Sequence, residues 1–459
     1  DYADSLIRTL GYLYGPYNNY TDFAPVNANW KFDRVCRVTS EPYFAYGEKK
    51  PGDGGFQTAW TRCYAPKPHW AVEACAQYAP RLKEKFGFNM AYCDVHTAVF
   101  PWEYVDYDWR FEGAGKFGTV YRAYLAIMRQ QKQAWQGPAY SEGGCQFLYA
   151  GLMDGNYGQV RLDLDKDPWI VDFDLRRIHP LECDFGVGNL EMMSPRVPKD
   201  SASAEFRHFV DRFLAATLAF GHAPYLLQET MFSPRQHHAL GYYSPHVRYV
   251  PEIGTPYVLR SYFMVQPAAA RYSQADAVET LYMCADGLWR DVSSALISGE
   301  RTMNRLATRY SDGTCVVANG DKERRLAAAV FGRRHDLPPC GYAVWNDKVS
   351  LEILASDESG VRTDYSASAD AIYFDTRDAH MDVQFPKARG RGVVVCRRDG
   401  ESWEIIPVCG SGEFRIAGSR ARAFSEDGKD LGATKVKIAP DGFLCVEPIP
   451  GAFGYRVTK

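Results

Sequence analysis

Long apolar runs are absent from this sequence of 459 residues, and neither sign of charge dominates. No stretch approaches the roughly 20 uninterrupted apolar residues that a membrane-spanning helix requires. The 53 Lys and Arg residues stand against 56 Asp and Glu residues, which leaves a formal net charge of −3. Because this balance offers no attraction to nucleic acid or to an anionic membrane, we expect neither partner.

Signatures of metal, disulfide and nucleotide chemistry are also missing. The 12 cysteines include no C-x-x-C pair, and the 10 histidines show no metal-ligand spacing. A G-x-G-x-x-G match at 113–118 follows no buried strand, so it lacks the context of a nucleotide-binding loop. Asp163, Asp165 and Asp167 begin like a calcium loop, but Pro168 stands where that loop needs glycine. We therefore predict no metal site and no bound cofactor.

The start of the chain carries no targeting signal. Asp1-Tyr2-Ala3-Asp4 has neither a basic segment nor an apolar core. The sequence also begins without Met, so a signal peptide removed during processing stays open as an alternative. The sequence predicts neither the compartment nor the oligomeric state.

Aromatic residues, by contrast, are abundant. The chain holds 30 Tyr, 25 Phe and 10 Trp, together 14% of its residues. Many of them stand beside Asp, Glu, Asn and Gly, a mixture that lines concave sites for ligands with flat apolar faces and polar rims. Sugars have both kinds of surface, which makes carbohydrate the expected partner. An aromatic-rich core explains the composition equally well.

Short apolar segments alternate with amphipathic ones over residues 1–303, which predicts parallel strands joined by crossover helices. The fold class we expect is therefore α/β, with a catalytic (β/α)8 TIM-type barrel. The predicted strands are 10–14, 56–64, 88–94, 139–142, 169–176 and 225–228, and the predicted helices are 69–86, 119–133 and 204–220.

After residue 304 the helical period disappears, and short apolar segments alternate with turn residues. This pattern predicts a C-terminal antiparallel β-sandwich domain over 304–385. Residues 386–459 continue the same pattern, either as a further β-strand domain or as an extension of the sandwich.

Two of the predicted strands end in an acidic residue. The first ends at Asp94, and the second ends at Glu142 and is followed by two glycines. Neighbouring barrel strands would bring both carboxylates to one pocket at the catalytic face. Such a pair suits glycoside hydrolysis, in which one carboxylate attacks or activates water and the other protonates the leaving oxygen. Carboxylates that cap helices or pair with arginine are the structural alternative.

Polar and aromatic residues near other predicted strand ends would complete the pocket as hydroxyl ligands or stacking platforms. Loops favour the same residue types for structural reasons, so each has a structural alternative. The predicted substrate-binding residues are Tyr17, Asn19, Asp22, Trp60, His96, Trp102, Asp154, Asp172 and Glu229.

Three segments resemble retaining α-glycosidases of the broad α-amylase-like barrel group. They are Leu13-Tyr14-Gly15-Pro16-Tyr17-Asn18-Asn19-Tyr20-Thr21-Asp22, Tyr92-Cys93-Asp94-Val95 and Ser141-Glu142-Gly143. The sequence is most similar to glycoside hydrolase families 101 and 129, which act on α-linked N-acetylgalactosamine. Residues 310–319 and 337–342 resemble the β-sandwich that follows such barrels.

The resemblance implies Asp94 as nucleophile and Glu142 as acid/base, with residues 18–22 holding the terminal sugar. One departure concerns the start of the chain, because those families carry a β-sandwich before the barrel. Either an N-terminal part that includes the first barrel strand is missing from this chain, or the strand count is off by one.

The leading hypothesis is a glycoside hydrolase that cleaves an α-linked terminal sugar, of galactose or N-acetylgalactosamine type, by a retaining double displacement. Retention predicts carboxyl groups about 5–5.5 Å apart, whereas inversion needs about 6.5–9.5 Å. One alternative is a catalytically inactive or carbohydrate-binding barrel protein. Another is a metal-dependent barrel enzyme, for which His96 and His179 are the histidines nearest to suitable strand ends.

Overall fold

The computed structural model divides the chain into two compact units. Unit 1 comprises Asp1–Val160 and Leu181–Gly188, and unit 2 comprises Arg161–Pro180 and Asn189–Lys459. The predicted domain boundary at residue 303 therefore falls inside unit 2. The structure describes residues 3, 5–25, 27, 29–45, 59–142, 145–149, 151–157, 164–171, 183–185, 203–223, 251–358 and 360–459.

Unit 1 contains seven strands and two long helices among its described residues. The strands are β1 (Tyr17–Asn18), β2 (Val35–Ala45), β3 (Ala59–Pro66), β4 (Ala91–Cys93), β5 (Ala139–Glu142), β6 (Gly155–Tyr157) and β7 (Cys183–Phe185). The helices are α1 (Pro68–Phe86) and α2 (Phe117–Trp135). A π-helical turn covers Ser5–Thr9, and short 3-10 turns cover Phe32–Arg34, Pro101–Tyr104 and Gln146–Tyr149.

Five of these strands form a parallel sheet in the order β1-β4-β5-β6-β7. Neighbours in the sheet follow one another along the chain once the β2–β3 hairpin is set aside, which is the order a barrel requires. In register, Tyr92 lies opposite Tyr140, and Cys93 lies opposite Ser141. The described residues thus show parallel strands with connecting helices, while closure into eight strands remains a prediction.

Helices α1 and α2 pack against one face of this sheet. Cys75 on α1 and Ile127 on α2 share a buried cluster with Ala91, Cys93 and Ala139 of the strands. Because side chains alternate along a strand, the residues between them point to the other face. The sheet therefore keeps its apolar core on the helix side and leaves its second face to other residues.

Gly87 ends helix α1 as the sequence predicts. Its φ of 70° is left-handed, and its N–H donates to the Lys83 carbonyl, which is the geometry of a glycine C-cap. Predicted helix 119–133 is likewise confirmed and extends over the whole of α2.

Two strand predictions in unit 1 are wrong. Residues 10–14 form no strand, and the first parallel strand is β1. The predicted barrel strand 56–64 corresponds to β3, which pairs antiparallel with β2 in a separate hairpin. The sequence between β2 and β3 is rich in Gly and Pro, a turn signal that favours a hairpin over a crossover.

The described residues of unit 2 form three helices and a large antiparallel sheet. The helices are α3 (Ala204–Ala219), α4 (Pro251–Tyr272) and α5 (Val292–Ile297). The strands are β8 (Ala277–Met283), β9 (Trp289–Arg290), β10 (Arg305–Tyr310), β11 (Cys315–Asn319), β12 (Leu326–Val330), β13 (Arg333–Leu337), β14 (Tyr342–Asn346), β15 (Leu351–Glu358), β16 (Val361–Ala367), β17 (Ala371–Asp375), β18 (Val383–Gln384), β19 (Ala388–Asp399), β20 (Ser402–Phe414), β21 (Arg420–Phe424), β22 (Asp430–Thr434), β23 (Val436–Ile438), β24 (Leu444–Val446) and β25 (Gly454–Thr458).

The predicted C-terminal antiparallel region is confirmed, but it is one continuous sheet. The sheet has sixteen strands. Thirteen of them hydrogen-bond along the order β22-β21-β25-β20-β19-β17-β16-β15-β14-β11-β10-β8-β9, and β18, β23 and β24 are attached to its side. The sheet starts at β8, upstream of residue 304. The pairing of β17 with β19 also crosses the boundary predicted between residues 385 and 386. The coarse fold is thus mixed α/β with a large antiparallel sheet. In the described part of the chain, none of the helices combines the length and apolarity needed to cross a membrane.

A buried network of charges ties helices α3 and α4 to the sheet of unit 2. Arg260 on α4 lies 2.6 Å from Asp375 and 3.2 Å from Asp364. Arg377 lies 2.7 Å from Asp211 on α3 and 2.5 Å from Asp364. Burial raises the pKa of Asp211, but the nearby arginines outweigh it and bring that pKa to about 2.

Replacing Arg377 with Met is expected to lower the free energy of unfolding by about 3–5 kcal/mol, because it leaves buried carboxylates without their partner. Urea denaturation measures this change. Arg422→Met is the control, since the pair of Arg422 with Asp430 is exposed and should contribute little to stability. Equal effects of the two substitutions would contradict a stabilising role for the network.

Candidate active site

Asp94 and Glu142 lie side by side at the carboxyl ends of neighbouring parallel strands. Glu142 is the last residue of β5, and Asp94 directly follows the last residue of β4. The register that sets Cys93 opposite Ser141 places Asp94 opposite Glu142 at the next position. By alternation, both acids share the sheet face of Tyr92, which is the face turned away from the helices.

The two carboxyl groups share a side-chain hydrogen bond, and the Tyr17 phenol donates a second one to Asp94 Oδ2. Burial raises the pKa of Asp94 above its ordinary value, and the negative charge of Asp22 raises it further. The hydrogen bonds from Tyr17 and Glu142 act in the opposite direction, since donors favour the ionised carboxylate. The net effect is a pKa of Asp94 that lies above its ordinary value, with burial as the largest cause.

Three further hydrogen bonds hold the two strand ends together. The Val95 N–H donates to Glu142 Oε2 at 3.0 Å. The Thr97 hydroxyl donates to the Glu142 carbonyl, and the Ser141 hydroxyl donates to the Cys93 carbonyl. Because these bonds link main chain and side chain on both strands, they fix the position of each carboxyl group relative to the other.

Val95 adopts a strained backbone conformation directly after Asp94. Its φ is +69°, a left-handed geometry that is rare for a β-branched residue and costs roughly 1–2 kcal/mol. Strained residues of this kind cluster at functional sites, where the surrounding contacts hold them in place. Here the strained conformation accompanies the hydrogen bond from the Val95 N–H to Glu142.

His96, a predicted substrate-binding residue, supports the turn that follows Asp94. Its side chain is fully buried, and its Nδ1–H donates to the Asp94 carbonyl at 2.8 Å. Burial lowers its pKa to about 4, so the ring is neutral. His179, the other histidine considered for a metal site, lies outside the described residues. Within the described ranges, His, Cys, Asp and Glu form no group of three or more that could hold a metal.

Asn19 and Asp22 shape the loop that follows β1. Asn19 Nδ2 donates to Asp22 Oδ2 at 2.7 Å, and Asn19 Oδ1 accepts from the N–H groups of Thr21 and Asp22. Asp22 Oδ1 accepts from the Thr39 hydroxyl at 2.9 Å. Both residues also line a cavity of about 540 Å³ between this loop and helix α1, together with Trp70. They thus organise the loop beside Asp94.

Two of the predicted aromatic residues present accessible rings. Tyr17 stacks on Tyr92 with ring centroids 5.5 Å apart, and its ring remains exposed. Trp102 stacks on Phe100 at 4.3 Å and is also exposed. Tyr17 is the one in direct contact with the acid pair.

Asp154, a predicted substrate-binding residue, lies at the opposite end of the sheet from Asp94 and Glu142. Its carboxylate accepts from the Ala139 N–H and from Lys132 Nζ, both at 2.8 Å. Ala139 begins β5, whereas Glu142 ends it. Asp154 precedes β6 rather than following it, which places it at the amino end of the strands.

The remaining predicted residues contribute no described side chain to the site. Trp60 lies on β3 of the antiparallel hairpin rather than on a parallel strand, and its side chain is not described. Asp172 and Glu229 lie outside the described residues.

Sequence reasoning missed the residues that hold the strand ends, namely Val95, Thr97 and Ser141. Ser141 lies immediately before Glu142, and Thr97 lies three positions after Asp94. Both were a usable signal, because short hydroxyl side chains commonly hydrogen-bond to nearby main chain. No sequence signal marks Val95, since valine is among the residues least expected at positive φ.

No family model matches this chain. Among solved structures, an α-amylase from Malbranchea cinnamomea matches 63% of this chain with 12% sequence identity and a TM-score of 0.31. This chain spans 60% of the length of that enzyme. Similarity at this level identifies neither a family nor an activity, and the resemblance to families 101 and 129 gains no support from it.

Replacing Asp154 with Ala is expected to lower the free energy of unfolding by about 1–3 kcal/mol, because the Ala139 N–H loses its acceptor. Thermal and urea unfolding measure this effect. The control is Glu84→Ala on the exposed side of α1, which should change stability by less than about 0.5 kcal/mol. An unchanged stability combined with a loss of ligand binding would restore Asp154 to the ligand site.

Proposed function

We propose that this chain is a glycoside hydrolase with Asp94 as nucleophile and Glu142 as acid/base. The hydrogen bond between the two carboxyl groups, at the ends of adjacent parallel strands, carries the proposal. Paired carboxyl groups that approach one point are the arrangement used to cleave glycosidic bonds. The exposed rings of Tyr17 and Trp102 supply flat apolar surfaces beside polar groups, as a sugar requires.

The surroundings of the two acids support different roles for them. Asp94 accepts a hydrogen bond from the Tyr17 phenol, which favours its ionised form as a nucleophile. Glu142 is assigned as the acid by its place beside Asp94 and by the resemblance of its segment. When the environments of two acids separate their pKa values, one commonly acts as the nucleophile or base and the other as the acid.

The proposed reaction has two steps. Asp94 attacks the anomeric carbon, the bond to the leaving oxygen breaks, and Glu142 gives its proton to that oxygen. Glu142 then takes a proton from water, whose oxygen attacks the anomeric carbon and releases the Asp94 carboxylate. The product keeps the anomeric configuration of the substrate.

Retention is favoured because the two carboxyl groups hydrogen-bond to each other from neighbouring strand ends. This leaves no room between them for the water that inverting enzymes place there, at separations of about 6.5–9.5 Å. Substrate binding must therefore replace the shared hydrogen bond with contacts to the glycosidic oxygen and the anomeric carbon.

The proposed substrate and barrel follow from the resemblance to retaining α-glycosidases of the segments around Tyr17, Asp94 and Glu142. We infer an α-linked terminal sugar of galactose or N-acetylgalactosamine type as substrate. We also infer that the five parallel strands belong to a (β/α)8 barrel whose interior face carries the two acids. The second inference is supported by the sequential strand order and by the helices on the other face.

Asp94→Asn and Glu142→Gln are each expected to lower kcat/KM by about 10²–10⁴ or more on p-nitrophenyl α-galactoside or α-N-acetylgalactosaminide, since each removes a reacting group. The control is Glu84→Gln, an exposed acid in the same unit. Circular dichroism checks that the variants fold, and NMR identifies the first-formed product anomer. Near-normal turnover in either variant would remove that residue from the mechanism, and an inverted product would exclude retention.

Tyr17→Phe is expected to shift the acid limb of the pH profile of kcat/KM upward. The nucleophile must be ionised, so activity falls as the pH drops through the pKa of Asp94, which burial already raises. Removing the Tyr17 hydroxyl takes away a donor that lowers this pKa, so the limb moves to higher pH. Tyr12→Phe serves as control in the same segment. A limb that stays in place or moves to lower pH would contradict the contact between Tyr17 and Asp94.

A further inference from the structure

Exposed aromatic side chains cluster in the loop that leads from Asp94 to helix α2. Trp109 is 87% exposed and Tyr107 is 79% exposed, while Trp102 and Phe117 are more than half exposed. Burial of tryptophan and tyrosine side chains is favourable, so two such rings left largely in solvent at one turn are unusual.

The turn that carries Tyr107 and Trp109 is firmly anchored. Asp108, between the two aromatic residues, pairs with Lys67 and with Arg110, each at 2.5 Å. The Asp108 side chain is only 13% exposed. The inward carboxylate is thus the anchor, and the residues on either side of it hold their rings in solvent.

Further main-chain contacts fix the same turn. The Asp108 N–H donates to Asp106 Oδ1 at 3.0 Å, and the Gly115 N–H donates to the Asp106 carbonyl at 2.7 Å. Phe111 closes the turn by stacking on His69 with centroids 4.2 Å apart. Because the turn is ordered before any ligand arrives, binding there would lose little conformational entropy.

The base of the loop is joined to the acid pair. The loop begins at Asp94, and the Thr97 hydroxyl bonds to the Glu142 carbonyl. The Cys145 N–H donates to the Thr97 carbonyl at 2.6 Å. These bonds join the start of the loop that carries the exposed rings to the strand end at Glu142.

The charged neighbours of the rings favour a saccharide over an apolar protein surface. Asp108 and Arg110 flank Trp109, and Glu112 follows two residues later. Flat rings separated by charged groups suit a ligand that offers one apolar face and a rim of hydroxyl groups. A continuous apolar patch, which a stable protein interface uses at its centre, does not fit this alternation.

We propose that Tyr107 and Trp109 form a saccharide-binding platform outside the reacting acid pair. Each ring would stack on one unit of a glycan chain that extends beyond the cleaved bond. The choice of a saccharide rests on the proposed function, whereas the platform itself needs no hydrolysis.

Affinity electrophoresis tests the proposal, with soluble starch, galactomannan and mucin glycoprotein as three separate probes. All proteins carry Asp94→Asn, so that binding is measured whether or not the chain hydrolyses the probe. Trp109→Ala and Tyr107→Ala are each expected to weaken the retained interaction by about three- to tenfold, through loss of a stacking ring. Trp109→Phe should retain most of the binding, and Trp109→Leu should lose it.

Ile297→Ala in unit 2 is the matched control, because Ile297 is as exposed as Trp109. Its retardation should equal that of the parent protein. Absence of retardation with all three probes would overturn the proposal. So would retardation that is unchanged in the Trp109→Ala and Tyr107→Ala variants, or equal retardation of Trp109→Leu and Trp109→Phe. Failure of the hydrolysis assays leaves these outcomes unaffected, so the two proposals fail separately.

Discussion

The register between strands β4 and β5 is the constraint on which the candidate site depends. Parallel neighbours lie about 4.8 Å apart, so acids at equivalent positions of adjacent strand ends are forced into contact. Two ionised carboxylates at that distance repel each other strongly, and one of them keeps a proton instead. The hydrogen bond between Asp94 and Glu142 is thus a direct consequence of how the strands align. The strained turn at Val95 is held by the same alignment, through its hydrogen bond to Glu142.

Buried carboxylates have different partners in the two units. In unit 2, Asp364 pairs with the guanidinium groups of Arg260 and Arg377, which joins helix to sheet. In unit 1, Asp94 meets a phenol and a second carboxyl group, which stabilise its charge less than two cations would. A carboxylate held by arginines stabilises the fold but is poorly available for reaction. The Asp94 environment leaves the group partly destabilised and therefore suited to chemistry.

Local signals explain what could be predicted from the sequence. The strand that ends at Glu142 is found with its bounds as predicted, because a short apolar run is closed by an acid and two glycines. Helix α1 ends where Gly87 predicts it. The proximity of Asp94 to Glu142 follows from parallel neighbours with a helix between them.

Features that depend on tertiary contacts were not predictable. Helix α4 contains Pro256 and Pro267, which read as helix breakers in sequence. Asp154 follows Glu142 along the chain but precedes its own strand, and only the coordinates show that it belongs to the amino end of the sheet. The positive φ of Val95 has no local cause, since it is sustained by contacts from a neighbouring strand.

Trapping of the covalent intermediate tests the central claim most directly. A 2-deoxy-2-fluoro glycosyl fluoride of the galactose type would release fluoride and leave its sugar on the nucleophile, and peptide mass spectrometry would locate it. We predict one sugar per chain, attached to Asp94, and no labelling of Asp94→Asn. A stable label on another residue, or turnover with inversion and no label, would contradict the assignment of the acid pair.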